Sequence, residues 1–60
     1  MDYDNPIKTV VRFEDGSEYA FRPDQNLTAV QNDTIITQRA EDLGLAYGWG
    51  RPISYTGVWI

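Results

Sequence analysis

Between residues 7 and 22 the chain alternates on both sides of a short polar break, and this constrains its fold more than any other feature. Thr9, Val11 and Phe13 alternate with Lys8, Val10 and Arg12; past the break, Tyr19 and Phe21 alternate with Glu18, Ala20 and Arg22. Period two is the pattern of strands that bury one face. The break itself, Glu14-Asp15-Gly16-Ser17, offers an Asp that tolerates and a Gly that favours the positive φ of a tight turn. A β-hairpin is therefore specified locally, before any long-range contact is considered.

A lone hairpin is marginal in water, so the rest of the chain must supply further strands or a covering helix. Pro23 ends the second strand because it has no N–H to donate to a ladder. Residues 24–31 read as a loop with a short helical turn, which Asp24 would cap. Over residues 32–44 two preferences compete. Thr34-Ile35-Ile36-Thr37 is β-branched and suits a strand. Against it, Ile36, Ala40, Leu43 and Tyr47 fall at i, i+4, i+7 and i+11, the stripe of an amphipathic helix. Asn32 or Asp33 would serve as N-cap and Gly44 as the glycine just past the end. This spacing favours the helix, with a strand over residues 34–38 as the alternative.

Residues 53–60 read as a third strand, with Ile53, Tyr55, Gly57 and Trp59 on one face and Ser54, Thr56, Val58 and Ile60 on the other. The expected architecture is an α+β domain of order β-β-α-β, a three-stranded antiparallel sheet with one helix on one face. A small all-β barrel of the SH3-like kind is the alternative. Residues 1–60 form a single small domain, with residues 1–6 expected as a flexible arm.

So short a chain buries only about 60% of the surface it exposes unfolded, and domains of this size usually carry a staple. With no Cys and no His, disulfides and thiolate or imidazole metal sites are excluded. Two compensations remain: eight aromatic residues, which bury large areas, and self-association. The second face of the sheet would carry Val10, Ala20, Val58 and Ile60 with nothing to cover them. Val10, Val58 and Ile60 are therefore the expected self-association residues, and a homodimer is expected.

The same inventory bears on chemistry. No nucleophile has a base beside it, and Lys8 falls on the polar face of its strand. Glu41 and Asp42 point about 100° apart on a helix, and Glu14 and Asp15 sit in a turn, so neither pair is placed for acid–base work. No catalytic residue is assigned and no enzyme is expected. Gly44, Gly48 and Gly50 follow a helix rather than a strand and do not make a phosphate loop. Asp24, Asn26, Asn32 and Asp33 miss the calcium-loop spacing. No metal and no cofactor are expected. A net charge of -4 disfavours a nucleic-acid backbone, and Tyr19, Phe21, Tyr55 and Trp59 have only Arg12, Arg22 and Arg51 to make a basic groove beside them. No apolar run approaches the roughly 20 residues that span a bilayer, and no basic-then-apolar leader opens the chain, which fits a cytoplasmic protein.

Residues 45–60 differ from the rest: they hold no acid, one Arg and half of the aromatics. That is the composition of a protein interface, and Trp49, Arg51, Tyr55 and Trp59 are its candidate partner-binding residues. Gly48 and Gly50 flank Trp49, which suggests an indole poorly tethered to any core. The expected function is a small acidic interaction module that occupies a surface of a larger protein, in the style of bacterial or bacteriophage inhibitors and adaptors. The alternative is a small-ligand or nucleotide-binding module, its pocket made by Trp49, Tyr47 and an Arg across a subunit boundary.

Overall fold

The computed structural model describes residues 4–60, in the order β1 (Lys8–Phe13), β2 (Glu18–Phe21), α1 (Ala29–Tyr47) and β3 (Pro52–Val58). The three strands form one open antiparallel sheet, β2-β1-β3, with α1 on one face, which is the β-β-α-β domain expected rather than a closed barrel. Thr9, Val10, Val11 and Arg12 face Phe21, Ala20, Tyr19 and Glu18 in turn, so the two runs of alternating residues meet in register. The Gly16 N–H donates to the Phe13 carbonyl at 2.9 Å and the Phe13 N–H to the Ser17 carbonyl at 2.8 Å. Gly16 takes a φ of 94°, where a side chain would be strained, and Asp15 accepts from the Ser17 N–H at 2.8 Å.

The helix begins three residues before the 32–44 span expected of it and ends three residues after it. Thr28 is the N-cap: its hydroxyl oxygen accepts from the Gln31 N–H at 3.1 Å, while its own N–H donates to Oε1 of Gln31 at 2.9 Å. This reciprocal box satisfies two donors that would otherwise be orphaned, and it displaces Asn32 and Asp33 from the capping role. Thr34, first of the β-branched run that suited a strand, is accommodated in the helix with its hydroxyl donating to the Val30 carbonyl at 3.1 Å. At the other end Gly48, not Gly44, takes the left-handed conformation, at φ 71°, and the N–H groups of Gly48 and Trp49 both reach the Gly44 carbonyl.

Gly44 has a different task. The buried positions of α1 are Asn32, Ile36, Ala40 and Gly44, each one turn after the last and, from Ile36 on, shrinking in size. The taper leaves room at Gly44 for the Gly50 carbonyl and the Phe13 ring, which together fill the space a side chain there would take. Val11, Phe13, Ile36 and Ala40 are the enclosed apolar core among the described residues, with Phe21, Leu43 and Trp49 packed on it. Tyr47, expected on the buried stripe, is 65% exposed.

At the opposite end the buried Asn32 joins three segments. Its Oδ1 accepts from the Asp24 N–H, and its amide donates to the Asp24 carbonyl and to Oδ1 of Asn5, each at 2.9 Å. Asn5 in turn donates to the Leu27 carbonyl at 2.9 Å, so residues 5 and 6 of the expected arm are docked; residues 1–3 lie outside the described residues.

The face of the sheet away from α1 carries Lys8, Val10 and Arg12 from β1, Glu18 and Ala20 from β2, and Ser54, Thr56 and Val58 from β3. Val10 and Val58 are half-buried there, while Ile60 lies beyond β3 and is fully exposed. The expected bare apolar layer is thus a mixed one. Arg12 spans β1 and β2 to pair with Glu18 at 2.7 Å.

Candidate protein-docking surface

One helix over three strands rests on the central strand and leaves the two outer strands half covered. A groove runs along each flank of α1. On the β2 side its walls are Tyr19, Phe21, Arg39, Leu43 and Ala46, around a space of about 320 Å³, and the Tyr19 and Phe21 rings meet there at 4.8 Å. On the β3 side Glu41 and Leu45 from α1 face Gly50, Arg51, Pro52 and Tyr55 across two adjoining hollows of about 260 and 280 Å³.

The start of β3 is set by a clasp between the hairpin tip and the segment after the helix. The Glu14 N–H donates to the Arg51 carbonyl at 3.0 Å, the Arg51 N–H to Oε1 of Glu14 at 2.8 Å, and the Asp15 N–H to the Trp49 carbonyl at 3.3 Å. Gly50 is required in this clasp: it sits at φ 86°, and a Cβ there would lie 3.0–3.1 Å from the Glu14 side chain. Charge-assisted bonding to Glu14 makes the clasp stronger than its neutral partners alone would.

The four expected partner-binding residues fall along a line rather than in a cluster. Trp49 lies before β3, half-buried, its ring 5.2 Å from Phe13 and stacked on Tyr47 at 5.1 Å. Its N–H and carbonyl are both bonded, so the flanking glycines do not leave it loose as expected; they shape the clasp that pins it. Tyr47 and Trp49 stack on each other, so one face of each ring is taken up by that contact. Arg51 and Tyr55 do share a site, the β3-side groove. Trp59 lies past the far end of β3, its indole nitrogen over Gly57, where a Cβ would meet it at 3.3 Å. Seven residues of strand at about 3.3 Å each separate the two indoles.

A register shift also alters which side chains face the groove. Phe13 pairs with Pro52 and Arg12 with Ser54, so Ile53 is the extra residue of a bulge. Pro52, not Ile53, therefore stands opposite Phe13. Leu45, at 81% exposure the barest apolar residue of the groove, was not singled out in the sequence, although its place in the acid-free segment and off the helix stripe was the available signal.

Among the described residues no group of His, Cys, Asp or Glu is placed to hold a metal, and no helix is long and apolar enough to cross a membrane. The class defined by fold and surface is a helix-backed, three-stranded antiparallel sheet with an exposed aromatic edge. Comparison with protein-family models, characterised proteins and solved structures finds no match to this chain.

Proposed function

We propose that this chain is a non-enzymatic protein-binding module that seats part of a larger protein on the strip running from Trp49 along β3 to Trp59, and inhibits or adapts the protein it covers. The observation that supports this reading is where the exposed apolar residues fall. Of the ten large apolar residues that stand exposed among the described residues, six (Leu45, Tyr47, Ile53, Tyr55, Trp59 and Ile60) belong to the segment that carries no acid, while Ile7, Tyr19, Val30 and Ile35 lie elsewhere. Such residues are costly to leave in water without a use when they are contiguous. The outer face of α1 beside them carries Asp33, Glu41 and Asp42. The partner chemistry that fits is an apolar patch rimmed by Lys or Arg, whose approach the acidic face would steer.

The test is capture from lysate by immobilised wild type, Leu45→Glu and Arg51→Glu, with far-UV circular dichroism to confirm that each variant is folded. Both substitutions lie on the exposed groove and away from the core. The expected result is one partner held by wild type and lost by both variants, with an association rate that falls as salt rises. Equal capture by all three proteins would place the docking surface elsewhere.

A further inference from the structure

β3 is an edge strand guarded only at its start, by Pro52 and the bulge at Ile53; from Ser54 to Val58 it carries neither charge nor proline. The Val58 carbonyl accepts from the Ile7 N–H at 2.8 Å, so by alternation Thr56 and Ser54 also turn their backbone groups to β1, while Tyr55 and Gly57 turn theirs outward. Among the described residues nothing takes up those outward groups. Edge strands are ordinarily blunted by shortness, charge or proline. The other edge, β2, has all three: it is four residues long, begins at Glu18 and runs into Arg22 and Pro23. β3 is seven residues long, exposed or half-exposed throughout, and no charged side chain follows Arg51. Two copies that each carry a net charge of -4 repel one another across most of their surfaces. The acid-free edge is where they meet without that opposition.

We infer that two copies of this chain join antiparallel through β3, about a two-fold axis at Thr56, and that the second copy completes the docking groove proposed above, on which reading this one rests. In that register the N–H and carbonyl of Tyr55 exchange with those of Gly57 of the second copy, once on each side of the axis. Each Tyr55 ring then stands beside Gly57 of the second copy, on the face where Trp59 and Pro6 of that copy already lie over the glycine. The sheet becomes six-stranded with both helices on one face. The two β1 strands stand three strand spacings apart, about 14 Å. α1 buries its apolar side chains on Val11 and Phe13 of β1 while its backbone comes nearest β3, so the two helices face each other across the joined β3 strands. Between them lies a trough floored by Tyr55 of both copies and walled by Glu41 and Leu45 of both. A single chain supplies one wall only.

The chain has no Cys, so single cysteines report the pairing directly. Thr56→Cys puts two thiols at a pair of facing residues without hydrogen bonds, whose Cβ atoms approach to about 4.5–5.5 Å, and it crosslinks under mild oxidation. Val10→Cys, on the open face, stays uncrosslinked. Wild type sediments at twice the 6.9 kDa chain mass. Tyr55→Pro removes an outward N–H and leaves the ladder to β1 intact, and Tyr55→Lys adds charge to the edge; both are folded monomers. A 6.9 kDa wild type, a Tyr55→Lys variant that still dimerises, or crosslinking of Val10→Cys in place of Thr56→Cys would overturn the pairing. A monomeric wild type that still captures its partner refutes the pairing alone. A dimer that captures none supports the pairing and refutes the docking function.

Discussion

Gly44→Ala is the most informative single change to the fold, because helix propensity and packing predict opposite signs. In the interior of a helix, alanine is favoured over glycine by about 1 kcal/mol. Here the added methyl would run into the Gly50 carbonyl and lie 3.1 Å from two ring carbons of Phe13. The carbonyl belongs to backbone held by three nearby bonds: Trp49 N–H to Gly44, Asp15 N–H to the Trp49 carbonyl, and Arg51 N–H to Glu14. Moving it aside breaks about two of these, at about 1 kcal/mol apiece. Overpacking against Phe13 adds about 1 kcal/mol more. The net effect is a loss of about 2 kcal/mol, which for a domain of this size lowers Tm by about 8–16 °C. Thermal melts followed by far-UV circular dichroism measure it, with Ala46→Gly, exposed on the same helix, as the reference that loses about 1 kcal/mol by propensity alone. A Gly44→Ala protein that melts at or above wild type would refute the close approach of helix and clasp.

Asn32→Ala removes the bonds to the Asp24 N–H, the Asp24 carbonyl and Oδ1 of Asn5 at a buried position, and is expected to cost about 3 kcal/mol in urea unfolding; a change under about 1 kcal/mol would show that the 24–28 loop is held some other way. Arg12→Ala removes an ion pair whose side chains are 58% and 47% exposed, so the expected loss is at most about 0.5 kcal/mol and vanishes at high salt. A larger loss that persists in salt would mean that the open face is covered.

The hairpin was legible because its instructions are local: alternation on both strands and an Asp-Gly turn need nothing from elsewhere in the chain. The helix was legible in its middle and misplaced at both ends, for two physical reasons. Its true start, Thr28-Ala29-Val30-Gln31, is a capping box that precedes the apolar stripe, so attention to the stripe began the helix too late. Its true end was hidden because Gly44 satisfies the sequence rule for a terminal glycine while giving room to the Gly50 carbonyl and to Phe13, a role set by how the chain turns back after the helix and by a strand residue 31 positions away. The bulge at Ile53 was hidden likewise, since register belongs to a pair of strands and not to one of them. Residues 45–60 stand apart in the sequence by their lack of acid, and the residues to which composition drew attention lie along one edge rather than around one pocket.

That edge and the small core have a common cause. A helix whose buried residues shrink from Ile36 to Gly44 comes close to Phe13 and to the Gly50 backbone before β3, and the core it encloses is limited to Val11 and Phe13 of the central strand. Tyr19, Phe21 and Tyr55 on the outer strands then keep one flank in water, and so do Leu45 and Tyr47 on the helix. The β2 flank is closed to strand addition by Glu18, Arg22 and Pro23, whereas the β3 flank keeps the backbone groups of Tyr55 and Gly57 open. The clasp between Glu14 and residues 49–51 fixes where β3 begins, so it sets both the depth of the groove and the register of the edge. The close packing that gives so short a chain a core therefore also leaves β3 and its groove free to bind.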